Sequence, residues 1–94
     1  MRFVWDEIKN STNRRKHQVS FETAQLVFDD PLQVSKQDRI EDSEQRWQTI
    51  GLVHGVVLLL VAHTHTEAGG EEAIRIISAR KANKAERRIY AEDY

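Results

Sequence analysis

Two clusters of cations carry most of the chemistry this chain could perform. Arg14-Arg15-Lys16-His17 forms one block, and Arg75, Arg80, Lys81, Lys84, Arg87 and Arg88 form another, while residues 22–45 between them are acidic. Arginine keeps its charge and presents a planar fork of donors to phosphate oxygens, whereas histidine, with an unperturbed pKa of about 6.5, exchanges a proton near neutral pH. Together they suit proton transfer at, or binding of, a phosphate group. The total charge nearly cancels, with 14 Lys and Arg against 15 Asp and Glu for a net −1. A uniformly basic nucleic-acid coat is thereby excluded, and any polyanion site must be local. The plainer interpretation of both blocks is a solvated helix surface.

His63 and His65, two residues apart, put both rings on one face of a strand, where a metal site could begin. A third ligand would have to be His54 or Glu67, and two imidazoles alone are too few, so neither metal nor cofactor is expected. The chain has no cysteine, which removes both a disulfide framework and a thiolate site. Trp47 could stack on a base, although a tryptophan in so small a sheet is more often core.

One domain, residues 1–94, must position these groups, because a second core would leave each half below roughly 50 residues. The longest apolar run, Val56 to Ala62, falls far short of the roughly 20 residues that span a bilayer, and no signal-like hydrophobic segment opens the chain. A cytoplasmic protein with no membrane partner is expected.

Phe3 to Trp5 reads as a short strand running into a helix capped by Asp6 and ending near His17, with Trp5, Ile8 and Thr12 at helical spacing and its cations gathered at the C-terminal end. Ser20 caps a second helix, carried by Phe21, Ala24, Val27 and Phe28 and stopped by Asp29-Asp30-Pro31. Leu32 to Ser35 suggests a brief strand, and polar Lys36 to Glu44 an exposed connection. Arg46–Val53 and Val56–Thr66 form a hairpin about His54-Gly55, and a turn at Ala68-Gly69-Gly70 leads into a third strand, Ala73–Ala79. Asn83 and Glu86 make a capping box for a C-terminal helix. The order implies an α+β fold, a small antiparallel sheet with helices. Strict alternation along the third strand sets Arg80 with Ile74, Ile76 and Ser78 and turns Arg75 to the other face, so that only a twist or bulge would let both serve one site.

Several separated motifs stand in an order that resembles BrnT-type toxins of type II toxin–antitoxin systems. They are Trp5-Asp6, Lys9, Asn13, Lys16-His17, Val19-Ser20-Phe21-Glu22, Ala24, Phe28-Asp29-Asp30-Pro31, Glu44-x-Arg46-Trp47, His63-Thr64, Ile74 to Ala82, Glu86-Arg87-Arg88 and Tyr90. The resemblance implies a RelE-like fold, a metal-independent endoribonuclease that cleaves RNA and inhibits translation, and neutralisation by a BrnA-type antitoxin that forms a hetero-oligomer with the toxin and alone brings it to DNA. RNA cleavage needs a 2′-hydroxyl activated, charge at phosphorus stabilised and the 5′-oxygen protonated. His17 is then the candidate acid or base and Arg46 and Arg80 its catalytic partners, with Lys16, Arg75 and Lys81 holding substrate. The alternative is a non-catalytic nucleic-acid or protein binding module that acts with a partner. One departure is Gln18, where such proteins commonly carry glycine after the Lys-His pair; Gln must there take a less favourable backbone geometry or end the helix differently.

Overall fold

The computed structural model describes residues 1–92 of the chain. Five strands form one sheet in the order β1-β5-β4-β3-β2, comprising β1 (Arg2–Val4), β2 (Val34–Glu41), β3 (Glu44–Val53), β4 (Val57–Ala68) and β5 (Glu71–Lys81). Between β1 and β2 the chain makes α1 (Glu7–His17), α2 (Phe21–Ala24) and a 3₁₀ turn (Gln25–Asp29); α3 (Lys84–Glu92) closes the chain. The fold is α+β as the element order implies, with one correction to the sheet. β1 runs parallel to β5, so the sheet is mixed, only its β2 to β5 meander being antiparallel.

Both sheet faces are covered, by different elements. Phe21, Ala24 and Val27 from α2 and the 3₁₀ turn pack with Val53, Leu59, Val61, Ile74, Ile76 and Ala79 on the first face. On the opposite face, Tyr90 and Ile89 of α3 lie over Ile50, Leu60 and Ala82 at one end of the sheet. Gly51 permits the first of these contacts, since a Cβ there would meet Val27 Cγ1 at 2.7 Å and Val27 O at 2.8 Å.

The caps read from the sequence form as expected. Asp6 accepts from the N–H groups of Ile8 and Lys9, and Ser20 Oγ from Thr23 N. Asn83 and Glu86 exchange their reciprocal bonds, each 2.9 Å. Gln18 ends α1 in the left-handed conformation (φ 58°) that glycine would adopt without strain, held by its N–H on Arg14 O and its side-chain amide on Arg15 O.

The polar segment expected as a connection is instead strand, most of it β2 with β3 beginning at Glu44, joined through Asp42 and Ser43 at φ 51° and 65°. An edge strand lies beside one neighbour only, so it needs no apolar face, and charges along it discourage pairing with other chains.

α1 differs from its sequence reading in which face it buries. Ile8 is 78% exposed, and the buried side chains are Asn10 and Asn13. β1 pairs with β5 only as far as Arg75; further along that edge Asn13 takes the place of a strand, donating to Ala79 O at 2.8 Å and accepting from Ala79 N at 3.1 Å. A buried polar contact therefore docks this helix where apolar residues were expected.

Candidate functional site

Register decides which cations can act together. Ala62 pairs with Ser78 but His63 with Ile76, so Ile77 is one extra residue in β5. This bulge shifts the alternation and corrects the expected faces: Arg80 leaves the face of Ile74 and Ile76 and joins Arg75. Arg46, Thr64 and Arg75 stand opposite one another across β3, β4 and β5, pointing to one side of the sheet. Arg80, opposite Leu60, lies further along the same side, where α3 packs. Three of the candidate arginines thus share a face.

Each is met by a carboxylate. Arg75 forms an ion pair with Glu44, and its Nε donates to Thr64 Oγ1 at 3.3 Å. Arg80 makes a two-pronged contact with Glu86, both bonds 2.8 Å, and that side chain is only 13% exposed. Hydrogen bonding to Arg80 is the main cause that lowers the Glu86 carboxyl below its ordinary pKa, with burial acting the other way, and the same bonds raise the Arg80 guanidinium. Arg46 Nε lies 3.3 Å from Glu41 Oε2 but is buried and makes no hydrogen bond. It is a donor ready for an oxygen acceptor, and each guanidinium already faces the chemistry of an oxyanion.

Lys16 and His17 form a separate group. They line a groove of about 240 Å³ between α1 and the edge of β5, with Lys9, Asn13, Ile77 and Ser78. Ser78 is common to this groove and the arginine face, so the two meet at the rim of β5. Lys81, opposite Leu59, alternates away from Arg80 to the other side of the sheet and does not join the arginines. Thr64 and the partners Glu41 and Glu44 were not singled out as site residues; the β3–β4 register and the hairpin about Asp42-Ser43 bring them there.

His63 behaves differently from a surface ligand. Its side chain is fully buried, its Nε2 lies 2.7 Å from Thr49 Oγ1, and its ring meets Phe28 edge-on at 5.0 Å. Thr49 Oγ1 in turn lies 2.7 Å from Ser35 Oγ. Among the described residues no three His, Asp or Glu side chains gather as metal ligands. Trp47, paired with His63, also faces away from the arginines, with its ring edge-on to His65.

Burial, and secondarily the neighbouring His65, push the His63 pKa down to about 4. At pH values between about 6.5 and 4 the unfolded chain therefore takes up a proton that the folded chain refuses. His63 lowers stability as pH falls through that window and has no effect above it. At pH 5 the loss is about 2 kcal/mol, which in a domain of this size lowers the thermal midpoint by roughly 10 °C. Midpoints of the parent and His63→Phe at pH 7 and pH 5 are expected to show this excess only in the parent; parallel curves would mean that His63 is protonated in the folded state.

A mixed five-stranded sheet with α1 along its β5 edge, α2 on one face and a C-terminal helix on the other is a RelE-like α+β architecture, here carrying an arginine-rich face. A family model described as the ribonuclease toxin BrnT of type II toxin–antitoxin systems matches residues 5–86, and the chain belongs to that family. The 1.1 Å crystal structure of the Brucella abortus ribonuclease toxin BrnT is similar to it with a TM-score of 0.61 and 27% identity, over 89% of this chain and 99% of that one. No curated protein sequence matches.

Proposed function

We propose that this protein is an endoribonuclease that arrests translation by cutting RNA on its arginine face, and that a small BrnA-type antitoxin holds it inactive. The observation that carries the reading is that Arg46, Arg75 and Arg80 lie on one side of the sheet, Arg80 being shifted to it by the Ile77 bulge, in a chain of the BrnT family. An RNA phosphate enters where Glu44 and Glu86 now meet the guanidiniums. The ribose 2′-oxygen bonds to phosphorus as the bond to the 5′-oxygen breaks, and negative charge grows on the non-bridging oxygens. Arg75 and Arg80 stabilise that charge, and Arg46 Nε supplies one more donor. His17, at the adjoining rim, takes the proton from the 2′-hydroxyl or delivers one to the 5′-oxygen, and water exchanges the other. The products are a 2′,3′-cyclic phosphate and a 5′-hydroxyl. Lys16 lies beside His17 to hold the flanking backbone, and DNA is reached only through the antitoxin.

RNA cleavage by the purified chain in excess EDTA is expected to persist and to leave cyclic phosphate ends. Loss that is restored by metal would replace this mechanism with a metal-dependent one, and RNA binding without cleavage would leave a binding module. Expression without an antitoxin is expected to stop growth and protein synthesis. Co-expression with an acidic or helical partner, followed by mass measurement of the complex, is expected to relieve the arrest and recover a hetero-oligomer.

A further inference from the structure

On the side of the sheet away from the arginines a cleft of about 360 Å³ opens between β1, the 3₁₀ turn, β2 and β4. That volume is within the range of small-molecule sites. Its walls are aromatic and apolar: Phe3 and Phe28, 5.4 Å apart, with Ile74. His63 lies in it as a buried side chain whose Nδ1 has no hydrogen-bond partner. Because Nε2 is engaged with Thr49, the orphaned nitrogen persists in either tautomer. A buried polar atom left unpaired is destabilising, so a ligand that reaches Nδ1 gains by satisfying it.

The rim is rich in acceptors. The carboxylate of Asp29, an exposed residue, has neither a hydrogen bond nor an ion pair among the described residues. Gln33 spends its amide N–H groups on the carbonyls of Phe28 and Asp30, at 2.9 and 3.1 Å, and keeps only its carbonyl oxygen for a ligand. Among the described residues no Lys or Arg lines the cleft, whose remaining lining residues are Met1, Ser35 and His65, so no arginine fork awaits a phosphate there. Aromatic walls instead suit a flat ring, and an acceptor rim suits a ring that brings N–H donors.

We propose that this cleft binds a nucleobase bearing an amino group, guanine best, stacked on Phe28, with its N–H edge on Asp29 and a polar ring atom on His63 Nδ1. Guanine places a ring N–H beside an exocyclic amino group, two donors matched to one carboxylate. Uracil has no amino group and is the poorest fit. The base comes either as a free nucleoside or as a base swung out of an RNA strand. The site stands whether or not the chain cuts RNA.

Calorimetry on the full chain with guanosine, adenosine, cytidine and uridine is expected to give saturable binding at least tenfold tighter for guanosine than for uridine. Asp29→Asn, which alters only an exposed carboxylate, is expected to weaken guanosine at least tenfold with an unchanged thermal midpoint. His63→Phe should weaken every base; if that variant does not fold, Asp29→Asn decides. A 2′-O-methyl RNA pentamer containing guanine, which cannot be cleaved through its 2′-oxygens, separates the two sources. Binding of the pentamer sensitive to Asp29 assigns the cleft to a base in RNA, and binding of the nucleoside alone assigns it to a free nucleoside. Absence of saturation by all four nucleosides and by the pentamer, or guanosine binding unaffected by Asp29→Asn, overturns the site. Cleavage plays no part in these readouts, so their failure leaves the arginine-face mechanism untouched.

Discussion

Arg80→Ala is expected to slow RNA cleavage by roughly a hundredfold to a thousandfold, the usual cost of about 2.7 to 4 kcal/mol for a lost donor to transition-state charge. The substitution also removes the two bonds that hold Glu86, whose side chain is mostly buried. An exposed ion pair is worth only about 0 to 1 kcal/mol, but a mostly buried carboxylate left without its partner costs more, so the thermal midpoint should fall as well. Folding and catalysis are separated by a second pair of variants. Arg80→Lys keeps the charge and loses the fork, and is expected to cut at an intermediate rate. Glu86→Gln keeps an oxygen for Asn83 N while removing the anion that competes for Arg80, and is expected to tighten RNA binding. If Arg80→Ala, assayed well below its midpoint, cuts at the parental rate, Arg80 serves to anchor α3, and the phosphate site must be sought around Lys16, His17 and Arg46.

How much of this site the sequence revealed depends on the kind of signal involved. Caps are local, and Asp6, Ser20 and the Asn83–Glu86 box each appear where their residue types place them. The hairpins at His54-Gly55 and Gly69-Gly70 were legible for the same reason, since glycine marks positive φ. The hairpin at Asp42-Ser43 was not, because two non-glycine residues take that conformation there and the flanking strands carry no apolar alternation. The bulge at Ile77 was invisible in another way. Counting by twos along Ile74 to Arg80 gives a consistent answer, and only pairing with β4 reveals the extra residue. That single irregularity separates an isolated arginine from a shared face. The family was recognisable from ordered motifs, whereas the way the cations divide between a face and a groove needed the register.

Asn13→Ala is expected to be among the most destabilising single changes in the chain, although nothing in the hydrophobic pattern marks the position. Asn13 Nδ2 donates to both Val19 O and Ala79 O at 2.8 Å, and its Oδ1 accepts from Ala79 N. Ala79 N–H as donor also fixes which way the amide is turned. Truncation leaves these backbone groups buried and unpaired beside Ala79, which is itself 1% exposed. At about 1 to 3 kcal/mol for each of the three unsatisfied groups, the total is about 3 to 9 kcal/mol, and the lower half of that range already means a fall of roughly 15 to 30 °C in midpoint for a domain of this size. Asn13→Asp separates shape from hydrogen bonding. Nearly the same in outline, it still accepts from Ala79 N but turns an anionic oxygen toward two carbonyl oxygens, so it is expected to be as damaging as alanine at pH 7. A lesser loss at acid pH, where the carboxyl protonates and can donate to one carbonyl, would confirm that account; the comparison is of Asn13→Asp with Asn13→Ala at each pH, which cancels the contribution of His63. Because, among the described residues, Asn13 supplies the side-chain hydrogen bonds that tie α1 to β5, the same variants should loosen the groove that holds Lys16 and His17. Cleavage measured at a temperature where Asn13→Ala remains folded is therefore expected to fall while the arginine face is intact. Midpoints within about 1 kcal/mol of the parent would show that water replaces the side chain at the β5 edge and that α1 is held there by other contacts.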